Sequence, residues 1–303
     1  LLKIEEKVLA TATKTETAGA PGEGGAFEFV QALARELSSG RIELPSFPDV
    51  AVRVQRALAD ENVRPDTVVR LIGSEPALAA WVLRMSNSAA MNVSGRQIND
   101  LRTAITRLGF NVVRSAAVSF AMSQLTRAPE LKGLEQPLRD LWNRSTLVAA
   151  MSSVAAKKFA RVNPDTALLA GLLHGIGRLY LLTRARHFPA LFSDPAAYGQ
   201  IVNDWHTNVA KAILENWDMA DEIVAAVHEH EQIDREHEGP ADLTDVLLVG
   251  DLLASFHEWP DSLELNLQGV HAVNRLDLDR ARLERIIEDS ATEIAALRQA
   301  LGQ

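Results

Sequence analysis

The chain has 303 residues, 47% hydrophobic and 23% charged, with a net charge of −9 and no cysteine. It can bury a substantial core in one large or two medium domains, and disulfides and thiolate metal sites are excluded. No uninterrupted apolar run reaches the roughly 18 residues of a bilayer span, and no charged, apolar, small-residue order marks a signal peptide, so a cytoplasmic protein without a membrane partner is expected. Charge is unevenly placed: residues 41–127 carry 11 basic and 7 acidic side chains, residues 128–303 carry 16 and 27. The arginines of the first stretch are scattered, with no basic run and few aromatic residues among them, so direct nucleic-acid binding is not expected.

In chain order, Leu1–Leu9 reads as the end of an amphipathic helix. Residues 10–25 are small, polar and Gly-rich, too poor in apolar surface to offset their ordering entropy, and read as a linker. Residues 1–25 are therefore expected to be a tail or linker that follows an upstream domain, with a ragged native N-terminus as the alternative. Residues 26–127 read as a helical lobe. Phe27, Val30, Ala34 and Leu37 form a stripe ending at Gly40, and Pro48 opens a helix carrying Val50, Val54, Ala57 and Leu58. Ser74 is placed as the N-cap of a helix with Leu78, Trp81, Val82 and Met85. A further helix with Leu101, Ala104, Ile105 and Leu108 is expected to stop at Gly109. Ser86-Asn87-Ser88 is assigned to turn and cap chemistry.

Residues 128–260 read as a second helical lobe. A long helix from about Leu138 to Phe159 leads through Asn163-Pro164 into one bearing Leu168, Leu169, Leu172, Leu173 and Ile176. After Pro195 and Gly199 the apolar series Trp205, Val209, Ile213, Trp217 is followed by Ile223, Val224, Val227 and His230, whose spacing turns His230 inward. Residues 261–303 are a helical extension in which Leu283, Ile287, Ser290, Ile294, Leu297 and Leu301 form a narrow stripe, expected to pack on the helical body, with self-association as the alternative. No strand alternation competes anywhere, so the fold expected is all-α and two-lobed.

Leu44-Pro45-Ser46-Phe47-Pro48, Ile72-Gly73-Ser74-Glu75-Pro76-Ala77-Leu78, Leu83-Arg84-Met85-Ser86-Asn87-Ser88 and Ala104-Ile105-Thr106-Arg107-Leu108-Gly109-Phe110 resemble, in order and spacing, the HDOD (HD-related output domain) family. The resemblance runs from about Phe27 to about Trp259. It implies a bacterial signalling module, often met in response regulators, whose fold is that of an HD phosphohydrolase that has lost some or all of its metal ligands. Ala170-Gly171-Leu172-Leu173-His174-Gly175-Ile176-Gly177-Arg178 is similar to the helix end that carries the adjacent His-Asp pair of such enzymes. His174 matches the histidine, but Gly175 stands at the aspartate. Where the resemblance places a first histidine after Trp142-Asn143, this chain has Arg144; Asp251 matches the final aspartate, and His206 and His230 match histidines some subfamilies add for a second metal.

With these ligands missing, the resemblance implies a non-catalytic module working through contacts with signalling proteins, with no catalytic residue and no cofactor. A weak divalent site at His174, His206, His230 and Asp251 remains the residual candidate. An inward Arg144 would pair with Asp251 and hold the charge position a metal would take, and the cleft between a basic and an acidic lobe is the expected partner surface. The alternatives are a metal-dependent phosphodiesterase or phosphohydrolase acting on a nucleotide second messenger, and a module that binds a nucleotide without turnover. His174, His206 and His230 also read as core histidines satisfied by backbone carbonyls. Trp81, Trp142, Trp205 and Trp217 read as core, and His228, Glu229, Glu231, His237 and Glu238 as a solvated helix end and loop. Whether copies of the chain associate is open.

Overall fold

The helical periodicity becomes helices in the computed structural model, which describes residues 23–40, 42, 48–60, 62–88, 91–92, 95–125, 127–258 and 269–301. Every regular element among them is helical. The helix read at Leu1–Leu9, most of the linker at 10–25 and the motif residues Leu44–Phe47 lie outside the described residues. The chain divides into two compact units, residues 1–45 with 176–216, and residues 46–175 with 217–303. Both units are discontinuous in sequence.

The first unit is built from α1 (Glu23–Ser39), α8 (Ile176–Ala185), a 3-10 turn (Pro189–Ser193) and α9 (Pro195–Asn216). The last residues of the expected linker, Glu23–Gly25, are the start of α1. Gly25 lies against the 3-10 turn, where a Cβ would come within 3.0 Å of that of Ala190. The buried stripe of α1 is Ala26, Phe29, Val30 and Leu33, whereas Phe27 is 41% exposed. The helix is therefore rotated from the expected stripe. Phe29 meets Phe188 edge-on at 5.2 Å, a contact that local spacing does not specify. Glu36 of α1 accepts hydrogen bonds from the Tyr180 hydroxyl and the Arg184 guanidinium of α8.

The second unit contains α2 (Asp49–Ala59), α3 (Pro65–Gly73), α4 (Pro76–Ser86), α5 (Leu101–Leu125), α6 (Glu135–Phe159), α7 (Pro164–Leu173), α10 (Asp221–Glu229), α11 (Leu243–Glu258), α12 (His271–Arg275) and α13 (Arg280–Leu301). Ser74 is not the N-cap of α4. Glu75 is, without a side-chain bond, and the Ser74 hydroxyl donates back to the Leu71 carbonyl at the end of α3. The helix from Leu101 does stop at Gly109, as expected: the residue takes the non-helical φ 74°, ψ 164°, and a second helical stretch follows at once, so that α5 is two helices joined at a kink. Glycine suits that backbone, which L side chains rarely adopt. Asn87 closes the turn after α4 by donating to the Leu83 and Ile98 carbonyls and accepting from the Ile98 amide.

Helices α6 and α7 form the centre. Every residue from Ser145 to Ala156 is buried, as is every residue from Thr166 to Leu173, the mark of helices surrounded on all sides. Asn163 caps α7 by accepting from the amides of Asp165 and Thr166 at 2.8 and 3.3 Å. Small residues let the helices meet closely: a Cβ on Gly171 would lie 2.3 Å from the Ala149 Cα, and one on Gly250 of α11 would lie 2.1 Å from the Ser152 hydroxyl. Helix α13 packs against α6. Its buried face is Leu283, Ile286, Ser290 and Ile294, so Ile286 replaces the expected Ile287; the side chains of Leu297 and Leu301 lie outside those described. Among the described residues, Pro164–Ala185 is the one stretch long and apolar enough to cross a membrane, and 94% of its 18-residue apolar window is buried within the protein.

Candidate functional site

Four helices of the second unit converge on one cluster. Arg144 stands on α6, His174 caps the C-terminus of α7, His230 caps that of α10, and Asp251 lies in α11. Helix-end positions let a side chain leave the axis toward a neighbour while the tight α6–α7 and α6–α11 contacts keep the helices close. Arg144 Nη2 donates to Asp251 Oδ1 at 2.8 Å, to the Asp251 carbonyl at 2.9 Å and to the Ser255 hydroxyl at 2.8 Å. His174 Nε2 lies 3.7 Å from the same Oδ1, and the His174 and His230 rings meet edge-on at 5.5 Å. His206 belongs to α9 of the first unit.

All three histidines are buried, and each ring is held through Nδ1 by a backbone carbonyl. The partners are Gly171 for His174, Val202 for His206 and Val227 for His230, at 2.7 to 2.8 Å. A carbonyl accepts only, so Nδ1 carries a proton, and in the neutral form of such a ring the lone pair is at Nε2. Metal-bound histidines use the same support.

Burial drives the pKa of His174 down to about 4, only partly opposed by Asp251, so this ring is neutral at pH 7. Burial also works against an ionised Asp251, but surrounding positive charge outweighs it and the carboxyl sits below its usual value. At neutral pH the permanent charge there is the Arg144 guanidinium.

Gly175 offers no ligand, and the space its side chain would enter is taken: a Cβ would lie 2.9 Å from the Ser145 hydroxyl. A divalent cation therefore fits these residues poorly. Gly175 carries no donor, Arg144 carries a permanent positive charge, and its guanidinium binds the Asp251 carboxylate. Removing it should leave Asp251 without its cation. Because the pair's side chains remain 24% and 23% exposed, Arg144→Ala is expected to destabilise by about 1–3 kcal/mol, below the figure for a fully buried pair. Denaturant unfolding at pH 7 measures it.

Sequence reasoning overlooked Ser145 and Ser255, which carry no motif of their own. His228, Glu229, Glu231, His237 and Glu238 are a helix end and loop, as expected, with Glu231 and Glu238 exposed, but Glu229 and His237 also join a second polar cluster. Asp245 of α11 is fully buried. It receives Arg275 of α12 at 2.7 and 2.9 Å, His237 Nε2 at 2.9 Å and the Asp242 amide at 3.2 Å. Arg235 spans Asp242 at 2.7 Å and Glu229 at 2.9 Å. His237, Asp242 and Asp245 bring ligand atoms within 4.8 Å of one another, but two guanidinium groups already occupy those carboxylates, so the cluster is an ion-pair network rather than a cation site.

The HDOD domain family model matches residues 44–233. A structure from Shewanella amazonensis SB2B, named after metal-dependent phosphohydrolases, is 24% identical and aligns over 92% of this chain and 100% of its own with a TM-score of 0.68. One from Marinobacter aquaeolei VT8, named after signal transduction proteins, is 22% identical over 92% of this chain and 66% of its own, with a TM-score of 0.59. At these identities they show a shared fold. A curated Treponema pallidum (strain Nichols) protein is 21% identical over 215 residues, 66% of this chain; the match spans 40% of that protein's length.

Proposed function

Because the chain belongs to the HDOD domain family, we propose that it is a non-catalytic signal-transduction output module of the bacterial cytoplasm that acts through protein contacts. Its input would come from a receiver or other sensory domain, and its output would pass to signalling proteins or to a second copy of the chain. The observation that supports this reading is the Arg144–Asp251 pair at 2.8 Å. A phosphohydrolase of this fold would need a metal-bound water as nucleophile, which calls for a cation among neutral imidazoles and carboxylates. Here a guanidinium, which cannot deprotonate, takes up the carboxylate.

The carbonyl-supported rings of His174 and His230 favour the competing reading, an enzyme acting on a nucleotide second messenger. Metal analysis of protein purified without chelator, together with turnover assays on cyclic dinucleotides and nucleotide phosphates, separates the two. Substoichiometric metal and no turnover are expected. Stoichiometric metal with turnover abolished by His174→Ala would overturn the proposal.

A constructive test uses the crowded glycine. Arg144→His with Gly175→Asp should raise metal affinity only weakly while the Ser145 hydroxyl stands 2.9 Å from the new Cβ. Adding Ser145→Ala should raise it further, read by calorimetric titration with Mn2+. Equal affinity with and without Ser145→Ala would show that the hydroxyl does not guard the site.

A further inference from the structure

Both ring nitrogens of His237 face acceptors. Nε2 lies 2.9 Å from the Asp245 carboxylate and Nδ1 lies 3.0 Å from the Glu238 carbonyl. Neither acceptor can donate, so a neutral ring, with one N–H, satisfies one contact and turns a lone pair toward an oxygen at the other. Only the imidazolium makes both bonds. Charge counting among the described residues agrees. With His237 protonated, three cations (Arg235, Arg275 and His237) meet three carboxylates (Glu229, Asp242 and Asp245); without it one negative charge is in excess around the buried Asp245. The remaining charged or titratable neighbours are peripheral. Glu236 and Glu238 on the same segment are exposed, and Glu236 lies 3.7 Å from His271 of α12.

The chain between Glu229 and Asp245 leaves α10 just past His230 and enters α11, and the network ties it to α12. From this geometry we propose that His237 is a protonation-controlled latch: the imidazolium fastens the 231–242 segment and α12 to α11, and loss of its proton releases them. The hydrogen bond to Asp245, with that from Glu238, raises the His237 pKa above its ordinary value. The sign follows from linkage. The latch is fully engaged below the unfolded histidine value of about 6.5 and loosens as pH rises through the raised folded value. The proposal stands whether or not the His174 site turns over a substrate.

Two measurements on the whole chain test it. NMR titration of the His237 ring should give a midpoint above about 6.5. Hydrogen exchange corrected for intrinsic rates should show protection in 231–242 and 271–275 falling about tenfold from pH 6 to pH 9, the loss expected for one charge-assisted hydrogen bond. In His237→Gln, protection in these segments should be lower at pH 6 and flat with pH. A His237 midpoint at or below 6.5, pH-independent protection in the unmodified protein, or the same pH dependence in His237→Gln would each overturn the latch.

Discussion

Gly177→Ala and Gly171→Ala should each destabilise the protein by about 3 kcal/mol or more, at or beyond the upper end of ordinary overpacking. A Cβ on Gly177 would sit 1.9 Å from the His206 carbonyl oxygen and 3.0 Å from the Ala210 amide nitrogen, both on the backbone of α9. One on Gly171 would sit 2.3 Å from the Ala149 Cα and 2.7 Å from its amide nitrogen on α6. No side-chain rotation relieves a clash with backbone, so whole helices must separate and lose the contacts between them. Gly199 is the control, since it is helical with nothing within 4 Å of its Cβ position. Gly199→Ala should be neutral or stabilise by about 0.5–1 kcal/mol through helix propensity and the unfolded state. Urea unfolding of the three variants decides; either clashing variant within about 1 kcal/mol of the unmodified protein would refute the close approach.

The second large effect is acid sensitivity from His174. The buried ring titrates at about 4 in the folded protein and at about 6.5 when unfolded, so between these values the unfolded chain takes up the proton first. Its contribution is therefore complete above pH 6.5 and is lost progressively as pH falls toward 4, amounting to about 3 kcal/mol. Asp251 adds in the same direction lower down, because its depressed carboxyl holds stability above the unfolded value that disappears as pH falls through the folded one. His237 works in the opposite sense and at higher pH, which is why the single-residue comparison matters. Unfolding midpoints at pH 7.0, 5.5 and 4.5 should fall steeply in the unmodified protein and more shallowly in His174→Gln. Parallel curves would remove His174 as the cause.

Much of the candidate site is legible in the chain alone. A glycine at 175 and an arginine at 144 are visible as residues that offer a cation no donor, and the 3.6-residue period continued from α10 to its C-cap places His230 on an inward face. Less legible are the features that depend on which of two adjacent residues a helix buries. In α1 and α13 neighbouring stripes are both compatible with amphipathic spacing, and partners distant in sequence select Phe29 over Phe27 and Ile286 over Ile287. Ser74 shows the same limit at a helix end, since its hydroxyl could serve either helix and the backbone path assigns it to α3.

The all-helical class, the family motifs, the kink-permitting Gly109 and the residues without metal donors at 144 and 175 are written in residue identity and local period, which act within a few turns. Three-dimensional packing was needed to bring Arg144 to Asp251 107 residues away, to fill the room beside Gly175 with Ser145, to bring Arg275 and His237 to a buried Asp245, and to cluster residues 1–45 with 176–216. Those outcomes depend on how closely helices approach and which side chains then share a volume, and such distances are properties of the packed whole with no signature in any one segment.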